Sequence, residues 1–133
     1  LMRRDAREAV YRLAYSYFFT GEMSGEMKDY FYKEHKLTDK DVEFADTLIC
    51  ATLKYEQEFT QTLSELSIGF GIDRINYLDK AALLIAMTEI KYFEDIDTAV
   101  SIDEAVRLVK KYSTENSLSF VNGVLARFAG KGA

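Results

Sequence analysis

The segment LDKAALLIAMTEI, residues 78–90, places apolar side chains at Leu78, Ala81, Ala82, Leu83, Leu84, Ile85, Ala86, Met87 and Ile90. A helix lying on one side of a globular protein needs an apolar stripe little wider than about 100°, whereas this apolar surface runs most of the way round. The segment therefore predicts a helix buried at the centre of the fold. The rest of the chain must supply the elements that cover it.

Helical spacing of apolar residues recurs on both sides of this segment, while sustained two-residue alternation does not, so the chain reads as all-α. A first helix is predicted over 3–19, with Ala6, Val10, Leu13, Ala14 and Tyr17 on its core stripe and Gly21 as the stop. A second spans 24–35, with Ser24 as N-cap and Met27, Tyr30 and Phe31 as the buried side. Thr38 opens a long helical stretch carrying Val42, Ala45, Leu48, Ile49 and Leu53, which kinks near Tyr55, continues to Leu66 and ends at Gly69 and Gly71. After the central helix, the capping-box spacing of Ser101 and Glu104 starts a helix with Ile102, Ala105, Val106 and Val109, ending near Tyr112. The last helix covers 117–129 on Leu118, Val121, Val124, Leu125 and Phe128, with Gly130 as its stop.

At 133 residues, with 48% hydrophobic content, the chain has the size and apolar fraction of one domain. Met2 is the expected initiator, so the domain is taken as 2–133. No proline or fixed-period repeat divides it. With 29% charged residues and no apolar run near the roughly 20 residues of a membrane span, it reads as neither disordered nor transmembrane. The single cysteine, Cys50, forms no internal disulfide, and the charged N-terminus is unlike a secretory signal, so a cytoplasmic protein is expected.

The net charge of −5 argues against bulk attraction to nucleic acid, but it hides an asymmetry. Residues 1–12 hold Arg3, Arg4, Arg7 and Arg12 against Asp5 and Glu8, a local +2, leaving −7 on the other 121 residues. A basic patch on an acidic body would present separate surfaces to an anionic and a cationic partner. On a helical projection Arg4, Arg7, Tyr11 and Tyr15 share a sector of about 80° opposite the apolar stripe, with Glu8 on the same face. Guanidinium groups with tyrosine rings suit RNA, taking phosphates and stacking on unpaired bases. The plainer alternative is that the rings pack against another helix and the arginines are solvated. On the last helix, Phe120, Gly123 and Arg127 lie off the core stripe, and Gly123 marks a close approach by either a ligand or a neighbouring helix.

Nothing suggests catalysis. His35 is alone beside Lys36, Cys50 sits on an apolar helix as core filler, and the acidic pairs Asp39 with Asp41 and Glu94, Asp95 with Asp97 are helix-start and loop residues. Gly69-Phe70-Gly71 follows no strand, so no dinucleotide loop is formed. No enzyme activity, metal or cofactor is expected.

Several strings carry a family resemblance: RRDARE at 3–8, DRI at 73–75 leading to DKA at 79–81, EI at 89–90 followed by DI at 95–96, IDEAV at 102–106, and FVNGVL at 120–125. Together, in this order and over most of the chain, they resemble the NusB family of bacterial transcription antitermination factors. The resemblance implies about seven helices in two small subdomains. It also implies pairing with NusE, a small-subunit ribosomal protein, and binding of single-stranded boxA RNA in nascent ribosomal RNA transcripts, with other Nus factors and RNA polymerase joining indirectly. Carried over by position, Arg3, Arg4, Arg7, Tyr15, Tyr112, Asn116 and Phe120 correspond to RNA-side residues, and Asp73 and Asp79 to acidic positions facing NusE. The chain departs from the family pattern at Asp5 and Leu84, where basic residues are common, and at Asp97 and Asp103. An alternative is a protein-only scaffold that keeps the NusE contact with little RNA binding, or that self-associates, since an exposed Tyr and Phe surface would serve a homodimer as well as RNA.

Overall fold

The computed structural model describes residues 3–67 and 75–130. Seven helices follow one another: α1 Arg4–Thr20, α2 Gly25–Glu34, α3 Asp39–Lys54, α4 Glu56–Leu66, α5 Tyr77–Tyr92, α6 Thr98–Tyr112 and α7 Glu115–Gly130. No strand occurs among the described residues. α5 is the predicted central helix, and Ala81 to Glu89 are buried without a break. It touches α1, α3, α4, α6 and α7. Helices α1–α3 and α4–α7 thus form two small groups joined along α5 and along the α1–α6 seam.

The helix boundaries follow local chemistry. Ser24 Oγ accepts the Met27 N–H at 3.1 Å. At α3, Thr38 and Asp41 make a reciprocal capping box, each side chain accepting the other's backbone N–H. Tyr55 ends α3 and starts α4, the kink expected from the sequence. Gly21 closes α1 in the left-handed region at φ 78°, where a side chain would be strained. Asn76 opens α5 by accepting the Asp79 N–H at 2.8 Å.

Four sequence expectations are corrected. α6 begins at Thr98 behind the Asp97 cap, not at Ser101, because Ser101 is buried and donates to Glu89 while Glu104 turns to arginines. On α2 the buried ring beside Phe31 is Tyr32, whose hydroxyl donates to Asp46, and Tyr30 is exposed. Cys50 faces outward rather than filling the core. Among the described residues Gly123 meets no neighbouring helix, and an added Cβ would touch the Arg127 guanidinium at 3.6 Å. That guanidinium reaches across to the Leu66 carbonyl at the end of α4. The two glycines expected to end α4, Gly69 and Gly71, lie outside the described residues.

Candidate nucleic-acid interface

The seam between α1 and α6 is organised by three carboxylates. Glu89 of α5 accepts from Arg7 Nε at 2.7 Å and from Ser101 Oγ at 2.7 Å. Glu104 of α6 accepts from Arg4 Nη2 at 3.0 Å and Arg107 Nη2 at 3.1 Å, with Arg7 Nη1 3.7 Å away. Glu8 of α1 accepts from Lys111 Nζ at 2.6 Å, Tyr112 Oη at 2.6 Å and Arg107 Nη1 at 3.4 Å. All three acids are buried. Burial alone would raise the Glu8 carboxyl, but the donors from Lys111, Tyr112 and Arg107 bring it down to about 2. Glu104 is also depressed, with Arg4 and Arg107 outweighing its desolvation.

Their cationic partners differ in exposure. The Arg4 and Lys111 side chains are 57% and 56% exposed, Arg107 is 27% exposed, and Arg7 is 3% exposed. The seam therefore shows solvent a row of cations whose inner ends are already held. Beside it three tyrosines meet, Tyr11 lying 5.4 Å from Tyr15 and 5.3 Å from Tyr112 between ring centroids. Tyr11 is fully buried, while Tyr15 and Tyr112 are half-buried. Burial and the surrounding acids push the phenols of Tyr11 and Tyr112 well up, so both stay protonated. Asn116 is exposed at the start of α7, and Phe120 one turn on is half-buried against the core.

A family model described as the NusB family matches residues 4–130, which include the whole of this seam. The chain belongs to the NusB family. A NusB protein of Syntrophomonas wolfei, called a transcription antitermination protein, is 33% identical over 98% of both chains. The NusB structure from T. maritima superposes with a TM-score of 0.89 at 28% identity, covering 97% of this chain and 91% of that one. A crystal structure of antitermination factors NusB and NusE in complex with double-stranded RNA matches with a TM-score of 0.87 at 25% identity, covering 97% and 96%. The seven-helix arrangement expected from the resemblance is thus the NusB fold.

Against this NusB framework the expected site residues separate. Arg4 and Tyr112 come together on the seam with Tyr15 at its edge, and Asn116 and Phe120 follow on α7. Arg3 is exposed but turns away, its guanidinium 4.6 Å over the Phe44 ring and 3.5 Å from Asp95. Arg7 is corrected from a face residue to a core residue, because Glu89 and Glu104 draw it inward. Tyr11 and Glu8 are likewise buried, since α6 covers the sector that the helical projection left open. Asp79 is buried rather than presented to a partner: its two carboxylate oxygens accept from Ser113 Oγ and Ser117 Oγ, each at 2.8 Å. Leu84 lies in the core of α5. Asp73 falls outside the described residues. Arg107 and Lys111 were missed in the sequence. Their spacing with Glu8 on α1 left no signal, and only Lys111 was marked at all, by its place in the last turn of α6, where cations suit the helix dipole.

Proposed function

We propose that this NusB-family chain is a transcription antitermination factor that binds boxA-type single-stranded RNA jointly with NusE, within the complex formed by other Nus factors and RNA polymerase. The observation that carries the reading is one surface: the exposed ends of Arg4, Arg107 and Lys111 along the α1–α6 seam, next to Tyr15 and Tyr112. Charged side chains of this kind take phosphates, and tyrosine rings stack on unpaired bases. Asn116 and Phe120 extend the surface onto α7 and Arg7 supports it from within, while Arg3, turned to Phe44 and Asp95, stands apart from it. Asp73 is retained as a contact to basic NusE residues, and Asp79 as the anchor of the α6–α7 turn. The reading includes no catalytic step, and no group of three or more potential metal ligands occurs among the described residues.

A fluorescence-anisotropy titration tests the proposal, using a boxA RNA, a scrambled strand and a duplex of the boxA sequence, each with and without NusE at two salt concentrations. The expected result is preference for the boxA strand, strengthened by NusE and weakened by salt. Equal binding of the boxA strand and the scramble would overturn it.

One observation favours the scaffold alternative. Arg4, Arg7, Arg107 and Lys111 face Glu8, Glu89 and Glu104, four cations against three carboxylates, which leaves a modest local field. On that reading NusE binds tightly while RNA binding is weak and flat with salt. Phe19 and Tyr77, both exposed and in mutual ring contact, provide the apolar surface for self-association, which sedimentation over a range of concentrations reads directly.

A further inference from the structure

We propose that Glu8 is a positioning residue for RNA: its buried carboxylate fixes Lys111, Arg107 and Tyr112 in the array that meets the nucleic acid, so that removing this negative charge weakens RNA binding instead of strengthening it. The inference rests on the RNA-binding reading above and concerns the same seam.

Glu8 projects from α1, and its three donors all come from the last two turns of α6. Each donor is divided in function. Lys111 gives one N–H to Glu8 while its side chain remains 56% exposed, leaving its other two donors for solvent or phosphate. Arg107 is shared between Glu8 and Glu104 through different nitrogens and keeps an exposed edge. Tyr112 spends its hydroxyl on Glu8, and its ring is fixed against Tyr11 and Tyr15. A free lysine or tyrosine loses rotamer freedom when it meets a ligand, and that loss subtracts from affinity. Here Glu8 imposes the order at folding. The carboxylate keeps its charge throughout the neutral range, because its donors outweigh its desolvation.

Two physical effects then predict opposite signs. Bulk electrostatics counts Glu8 as an anion on an anion-binding face, so neutralising it should tighten RNA. Positioning counts it as the template of that face, so neutralising it should loosen RNA.

The test uses the full chain with NusE and the boxA strand, comparing Glu8→Gln, Lys111→Ala and the double substitution by anisotropy. Thermal denaturation establishes that each variant is folded at the assay temperature. The expected result is binding roughly fivefold to tenfold weaker for Glu8→Gln, the size of one ordinary hydrogen bond lost from the array. The double variant should lose less than the product of the two single losses, because Lys111 acts in part through Glu8. Should Glu8→Gln not fold, Glu8→Asp keeps the charge with a shorter reach, and it too is expected to bind more weakly. Equal or tighter binding by folded Glu8→Gln, unaltered binding by Glu8→Asp, or independent losses in the double variant overturns the inference alone. Absence of RNA binding by the unsubstituted chain with NusE overturns it together with the RNA-binding reading.

Discussion

Arg7 shows how one residue changes meaning with its surroundings. In sequence it is an arginine among arginines at a basic terminus, whereas in the fold its guanidinium is enclosed with Glu89 and Glu104. Deleting one member of a buried ion pair leaves the other charge desolvated, which costs about 3–5 kcal/mol. Arg7→Ala is therefore expected to lose stability on that scale in urea denaturation, and any loss of RNA binding should follow the unfolded fraction. Arg4 is the opposite case. Its inner nitrogens hold Glu104 while most of the side chain is exposed, and Glu104 and Glu8 each keep other donors when Arg4 and Lys111 are neutralised, so Arg4→Gln combined with Lys111→Gln should leave the chain folded, weaken RNA binding and reduce its salt slope by about two phosphate contacts. A folded double variant with an unchanged slope would remove the seam from the RNA surface. The helical projection separated the basic-aromatic sector of α1 from its apolar stripe, but it was silent on α6, which covers Arg7, Glu8 and Tyr11. Burial of a charged sector depends on the partner helix, and those partners lie about a hundred positions away in the chain.

At the level of elements, readings succeeded where a feature is completed within a few residues. The caps at Ser24 and Thr38 and the break at Tyr55 are all closed locally and were legible in the sequence, although Asp41 read there only as a helix-start acid and its bond back to the Thr38 N–H was not legible. The start of α6 was misplaced for the same reason in reverse. Ser101 and Glu104 have capping-box spacing, yet both side chains are committed to tertiary partners, and Asp97 performs the capping. This difference is measurable. Thr38→Ala should destabilise the chain by about 1 kcal/mol through the lost cap of α3. Ser101→Ala should act differently, by removing a hydrogen bond to the buried Glu89, and the loss is expected to shrink when Arg7 is also replaced. Additive losses at Ser101 and Arg7 would show that the two residues do not share one network. The α6–α7 turn is held in a comparable way by Asp79 through Ser113 and Ser117, which places Asn116 and Phe120 relative to Tyr112.

For the whole molecule, the charge asymmetry computed from the sequence is real but partly internal. The acids of the seam are buried, and they join the α1–α3 group to the α4–α7 group through α1, α5 and α6. Acid should therefore attack the junction between the two groups. Glu8 ordinarily titrates at 4.5 and is held at about 2 in the fold, so between those values the unfolded chain binds the proton that the folded chain refuses. Its contribution to stability is complete above 4.5 and disappears as pH falls through about 2. The lowered Glu104 adds to the effect in the same direction. Thermal denaturation followed by circular dichroism from pH 7 downward should accordingly show Tm falling steeply below about 4.5 in the unsubstituted chain. Glu8→Gln has no proton to take up at this position, so it should start from a lower Tm at pH 7 and decline less, the two curves converging as the window closes. Parallel curves would mean that the Glu8 carboxylate gains nothing from Lys111, Tyr112 and Arg107, and that the seam is held by its remaining pairs at Glu89 and Glu104 and by packing.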